Sequence, residues 1–388
     1  VEGFEFGIRT KIVFGKGRFE GSVKQFISSD PTRVLVVVDR HFEWVGRDLA
    51  PRSTLYIHDG KEPSFELASD LFRLARGCTR IVGIGGGSVI DLAKVAALAP
   101  TNPGELADHI TGIRSTNSFE NSPVPFMAVP TTAGSGSEVT WVSVLTRAGR
   151  KIFINGDSMF PSVAVVDPEL TYTLTPEQSA VSGIDAFSHL VECYISTHSN
   201  TLTEAFCEKG LALAVNNLVN ARNGKEEARD AMCQASLLGG LATRAETVLG
   251  HSIGYAITSR KPIAHGIAVG VSLPYVLGYN LPSIKAEKLR TLGRIMLGEA
   301  QSEEGFERLL LYRLLKILAE LGLPVSLREL TIDHSDLPAM ADECVSSYPR
   351  LANPKPYDRA AVELILEKMY SGSPFFYQTG VSDNKLRP

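Results

Sequence analysis

Apolar positions in the first 170 residues come as short continuous runs separated by helix-period stretches. Residues 34–38 (VLVVV) are apolar without alternation, as expected for a strand buried on both faces of a parallel sheet. Residues 53–57, 80–84 (RIVGI) and 124–129 read as further strands, and 63–76 and 89–98 as the helices between them. This βαβ rhythm predicts an open, mostly parallel sheet. After Asp167-Pro168 the period changes. Thr175-Pro176-Glu177-Gln178 is a helix start, with Thr as N-cap, Pro at the first helical position and Gln at the third. From there to about residue 370 apolar residues recur at helical spacing, as in 202–218, 226–243, 284–297 and 306–321. The expected organisation is an α/β dinucleotide-binding domain over 1–170 and an all-helical metal-binding domain over 171–388. Residues 371–388 carry little helical signal and read as an ordered extension or a loose tail.

Composition narrows the function classes. With 44% hydrophobic and 21% charged residues the chain is globular, not low-complexity. A net charge of −4 gives no footprint for nucleic acid or an anionic membrane. No uncharged apolar stretch is long enough to span a bilayer, and VEGFEFGIRTKIVFG lacks the basic and apolar regions of a signal peptide. The five cysteines are odd in number and form no CxxC pair. They read as reduced thiols of a cytoplasmic protein.

Two loops carry candidate chemistry. Gly83-Ile84-Gly85-Gly86-Gly87-Ser88 follows a strand and opens a helix, so its backbone can approach a diphosphate at a helix N-terminus. The alternative is a tight turn without a ligand; the position at a strand's carboxyl end favours binding. Thr131 and Thr132 open the second loop, PTTAGSGSE, which could hold a phosphate or ribose or be a polar loop with an N-cap. Asp39 ends an earlier strand, where an acid can bond ribose hydroxyls and repel a 2′-phosphate. It precedes the glycines instead of following them, so this role requires an unusual topology; the other reading is a turn residue.

Asp185 and His189 stand four apart in a helical segment, on one face. His251 and His265 follow in apolar, small-residue surroundings. One carboxylate and three imidazoles suit Fe²⁺ or Zn²⁺ and are too nitrogen-rich for Mg²⁺ or Ca²⁺. A surface Asp–His hydrogen bond is the competing reading of the first pair.

GGGSVIDLAK, PTTAGSGSEVT, GIDAFSHLVECYIS and the His251/His265 pair together resemble the iron-containing (group III) alcohol dehydrogenases. KIVFGKG, VAVVDPELT and Ala352-Asn353-Pro354 extend the likeness over nearly the whole chain. The resemblance implies a dehydroquinate synthase-like fold with nicotinamide and metal in a cleft between the domains. It implies metal ligands at Asp185, His189, His251 and His265. It places the diphosphate loop on Gly85, Gly86, Gly87 and Ser88, completed by Asp91 and Lys94. Asp39 takes the adenosine side, Thr131 and Thr132 lie near the cofactor, and Lys151 lies near its ribose. NAD(H) is then expected over NADP(H), with one Fe²⁺ or Zn²⁺. The partners are a small aldehyde or alcohol and further copies of the chain, as a dimer or larger.

The chain departs from this pattern twice. Tyr255 stands where many members have a histidine with a proton-relay role, and Ser259-Arg260-Lys261-Pro262 lies between the two ligand histidines. Arg260 and Lys261 read either as a solvated loop or as a clamp for an anionic substrate tail. With Tyr255, the clamp resembles the phosphonoacetaldehyde reductase branch. The expected activity is hydride transfer between nicotinamide and a small aldehyde or primary alcohol. The alternatives are a non-redox lyase of the dehydroquinate synthase type, disfavoured by the Asp185/His189 helix, and a metal-free binding protein.

Overall fold

The structure, a computed structural model, describes residues 3–116, 118–298 and 305–375. The expected tail beyond Phe375 lies outside these residues. The strands are β1 (Lys11–Phe14), β2 (Val34–Asp39), β3 (Thr54–His58), β4 (Arg80–Gly85), β5 (Arg114–Thr116), β6 (Phe126–Pro130), β7 (Val142–Arg147), β8 (Arg150–Asn155) and β9 (Val163–Val166). Among them run α1 (Phe19–Ile27), α2 (Trp44–Asp48), α3 (Phe65–Leu74) and α4 (Gly87–Leu98). Then come α5 (Pro176–Ile195), α6 (Thr201–Arg222), α7 (Glu226–Ala242), α8 (Leu249–Thr258), α9 (His265–Asn280), α10 (Ala286–Leu297), α11 (Phe306–Glu320), α12 (Leu337–Ser346) and α13 (Arg359–Ser371).

Six strands form a parallel sheet in the order β1-β9-β6-β4-β2-β3. Alternate residues of the apolar runs face opposite sides. Leu35, Val37 and Ile81 pack with α3 and α4, while Val34, Val36, Val38 and Ile84 pack with α1 and α2. Both faces are therefore covered, which is why these strands read as unbroken apolar runs. The chain steps from β2 out to β3 and then back across β2 to β4. That reversal opens a crevice at the carboxyl ends of β2 and β4, the usual ligand position in such sheets.

A smaller sheet, β5-β8-β7, was not foreseen. Its β7–β8 hairpin closes Arg147 against Arg150 through Ala148 (φ 49°) and Gly149 (φ 75°). Both central residues of this two-residue loop have positive φ, as in a type I′ turn. In the helical half, α5 starts on the expected capping box: Thr175 Oγ1 accepts from Gln178 N (3.2 Å) and Gln178 Oε1 from Thr175 N (3.0 Å). From Gly183 to Ile195 every residue of α5 is buried, so it is the central helix of this half. Among the described residues, no helix is long and apolar enough to cross a membrane.

Candidate functional site

The cleft between the sheet and the helices holds a cavity of about 400 Å³. The end of α4 opens into it. Gly86 is the N-cap and no side chain caps the helix, so the Gly87 and Ser88 amides carry no such partner. Gly87, Ser88 and Thr132 line this cavity. A second cavity of about 200 Å³ shares Ser88 and Thr132 and adds Asp39, Gly86 and Thr131. Parallel pairing places Val38 beside Ile84, which brings Asp39, the next residue, level with the start of the glycine loop. The reversal in strand order thus supplies the topology that Asp39 required. Its carboxylate also caps a turn, accepting from His41 N at 3.0 Å. Gly85 lines neither cavity; it ends β4 opposite Pro130, and its carbonyl accepts from Thr131 N (3.0 Å).

Asp91 and Lys94 brace the second loop from below. Asp91 accepts from Ser137 Oγ (2.5 Å) and Val144 N (2.9 Å). Lys94 donates to Ser137 Oγ, Thr140 Oγ1 and Val142 O at 2.7–2.9 Å. Burial pushes the Lys94 ammonium down to about 8. Lys151, carried into the cleft by β8, is held by Glu62 and by Thr146 Oγ1 (3.0 Å), and burial lowers it also to about 8.

Across the cavity, α5 and α8 bring Asp185, His189 and His251 together, each offering a ligand atom within 4.8 Å of the others. His189 Nε2 and His251 Nε2 face each other at 3.1 Å. His265, the first residue of α9, stands beside this group with its ring 5.5 Å from that of His251. Glycines make both approaches possible. A Cβ on Gly266 would lie 2.1 Å from the Val181 carbonyl oxygen, so only glycine lets α9 start against α5. A Cβ on Gly250 would lie 2.4 Å from Glu192 Oε1.

Glu192 was missed in the sequence, although its position three residues after His189 on α5 puts it on the same face. Its Oε1 lies 2.9 Å from His251 Nδ1, and its Oε2 accepts from His251 N at 3.3 Å. Burial pushes the Glu192 carboxyl up to about 8 and holds His251 well below the usual imidazole range. Burial likewise lowers His265 to about 3, so both imidazoles keep a lone pair. Asp185 Oδ1, His189 Nδ1 and His265 Nδ1 are buried without a hydrogen-bond partner. Orphaned donors and acceptors of this kind are costly unless something completes them. Neutral imidazoles, a carboxylate and three unpartnered atoms fit a divalent N/O-binding cation.

Tyr255 lies one turn beyond His251 on α8, as expected. It stacks on His265 (5.3 Å between centroids, 10°) and packs with Phe153 and Tyr348 in an aromatic wall. Arg260 and Lys261 do not line the cavity, which corrects the expected clamp. The chain turns as α8 ends. Arg260 folds back to donate to Ala256 O (2.9 Å) and pairs with Glu343 at 2.5 Å, while half-buried Lys261 donates to Thr331 Oγ1 (2.9 Å). The guanidiniums that do border the cavity are Arg114 and Arg350, neither of them singled out in the sequence.

Comparison with known proteins agrees with this geometry. The family model for iron-containing alcohol dehydrogenase matches residues 9–168, and that for the C-terminal part of the Fe-containing alcohol dehydrogenase family matches 179–370. The chain belongs to the iron-containing alcohol dehydrogenase family. It is 31% identical over 378 residues to alcohol dehydrogenase 4 of Saccharomyces cerevisiae, covering 92% of this chain and 96% of that one. It is 30% identical to sulfoacetaldehyde reductase of Bilophila wadsworthia over 386 residues, with the same coverage of both. Sulfoacetaldehyde reductase from Bifidobacterium kashiwanohense, solved in complex with NAD⁺, superposes with TM-score 0.84 at 27% identity. That superposition covers 96% of this chain and 100% of the other. As a member of this family the chain is an oxidoreductase, and the non-redox lyase alternative loses its footing.

Proposed function

We propose that this iron-containing alcohol dehydrogenase relative exchanges hydride between a nicotinamide dinucleotide and the carbonyl carbon of a small aldehyde, forming or consuming a primary alcohol. One observation carries the reading. A single cavity is bordered on one side by an uncapped helix N-terminus at the sheet's crevice and on the other by Asp185, His189, His251 and His265. The free amides of Gly87 and Ser88 suit a diphosphate, and Thr131 and Thr132 supply hydroxyls beside it. Asp39, at the second cavity, accepts ribose hydroxyls and repels a 2′-phosphate, which favours NAD(H) over NADP(H). Lys151 faces the cavity from β8, placed for the cofactor ribose.

When bound, the nicotinamide would exchange the hydride and an Fe²⁺ or Zn²⁺ ion would act as a Lewis acid for charge on the substrate oxygen. Asp185, His189, His251 and His265 would hold the cation. Glu192, 2.9 Å from His251 Nδ1, orients that ring and would leave Nε2 for ligation once a cation displaces the proton the pair shares. Tyr255 closes the wall behind His265 and limits water at the reacting carbon. The protein's main contribution is alignment of donor and acceptor.

The test is NADH consumption with a panel of short aldehydes, before and after chelation, followed by addition of Fe²⁺ or Zn²⁺. Turnover that disappears with chelator and returns with either metal is expected. Turnover indifferent to chelation, or none with any aldehyde after metal is restored, would refute the reading.

A further inference from the structure

Two guanidiniums border the metal side of the cleft, and neither forms an ion pair among the described residues. Arg114, on β5, lies with Cζ 4.9 Å from the Phe153 ring centroid. Arg350, in the segment between α12 and α13, lies 5.6 Å from the Tyr255 ring centroid and donates through Nε to Ser252 Oγ at 3.3 Å. Their contacts are with the aromatic wall and α8, not with the α4 cradle. Both are close enough to feel each other: Arg114 is held below the usual guanidinium range by burial first and by the like charge of Arg350 next.

Most acids on the same cavity are already engaged. Glu62 pairs with Lys151, Asp91 takes Ser137 and Val144, and Glu246 lies 3.6 Å from His198. Asp185 belongs to the ligand cluster. The charge of Glu246 reaches Arg114, but the two form no ion pair. Glu246 and the buried Glu192 act on Arg114 and Arg350 only from a distance, so two like charges without a direct ion pair on a cavity wall are relieved further when an anion joins them. One face of the surroundings of Tyr255 is His265, 5.3 Å away, and another is Arg350. Arg350 and the ligand histidine His265 therefore flank the same aromatic side chain, and Arg114 sits on the adjoining Phe153 of the same wall.

We propose that Arg114 and Arg350 receive an anionic group at the end of the substrate away from its reacting carbon. The substrate is then a short aldehyde or primary alcohol bearing a carboxylate, sulfonate or phosphonate. The planar fork of each guanidinium matches all three oxyanions. This proposal rests on the hydride-transfer reading above.

Two measurements test it. The first compares kcat/KM for succinate semialdehyde, sulfoacetaldehyde and phosphonoacetaldehyde with that for butanal, and the best of the three identifies the anion. At least a tenfold preference for one of them is expected, falling at least tenfold in Arg350→Gln and Arg114→Gln and less in Arg350→Lys. Butanal matching all three, or a preference unchanged in both Gln variants, would overturn it. An equal rise in the KM for NADH with every substrate, at unchanged preference, would instead assign the arginines to the cofactor and also overturn it. The second measurement is calorimetric titration of the chelated wild-type protein with propionate, methanesulfonate and methylphosphonate. Saturable binding of one supports the site, and binding of none overturns it. If no aldehyde is reduced while an anion still binds, the hydride-transfer reading fails and the anion site stands.

Discussion

Glu192 Oε1 and His251 Nδ1 lie 2.9 Å apart at the buried junction of α5 and α8. The contact fixes the orientation of the imidazole ring, and the carboxylate that forms once a bound cation displaces the proton favoured by burial would raise the ring's basicity toward that cation. Glu192→Gln keeps the shape but cannot ionise when a cation binds. Metal affinity, measured by competition with a chromophoric chelator, is expected to fall about 10–100-fold. Unchanged affinity would separate Glu192 from the ligand set.

A cation bound only by the folded state stabilises it by mass action, about 2.7 kcal/mol at one hundred times its dissociation constant. Adding Zn²⁺ to chelated protein should therefore raise Tm in the wild type and leave it unmoved in His189→Ala. His265→Ala should abolish turnover while NADH binding, followed by fluorescence, stays largely intact. A thermal shift that persists in His189→Ala would place the cation elsewhere.

Asp39→Gly removes the carboxylate beside the second cavity together with its turn-capping bond to His41 N. The ratio of kcat/KM for NADH to that for NADPH should exceed one in the wild type and narrow in the variant. Arg40, the next residue, would then attract a 2′-phosphate without the opposing charge of Asp39. A wild type that uses NADPH equally well contradicts the assignment.

Tyr255 is 7% exposed, and burial pushes its phenol further above its ordinary value. A group so far from neutrality is a poor acid or base at physiological pH. Tyr255→Phe should lower kcat only a few-fold, through looser packing against His265. A loss above about a hundredfold would assign it proton transfer.

The α/β half was legible where strands are buried on both faces, because residues 34–38 of β2, 81–85 of β4 and all of β6 then lack any polar position. β1 and β9 escaped notice as strands because each is only four residues long, and β1 is a half-exposed edge. The β7–β8 hairpin escaped because Ala148-Gly149 is a weak signal for a turn more often written Asn-Gly. The ligand set showed itself through helical spacing and motif. Arg350 did not, since it reaches Ser252 across 98 residues of chain, and no local pattern reports such a meeting. Arg260 was misleading for the converse reason: nearness in sequence to two ligands says nothing about direction once α8 has ended.

The ligand cluster is drawn entirely from three helices of one half, and the phosphate cradle from strand ends and loops of the other. Any parting of the two halves would therefore separate hydride donor from acceptor without loosening the grip on the cation. Release of a dinucleotide from the strand ends would therefore ask no rearrangement of the four side chains that would hold a cation.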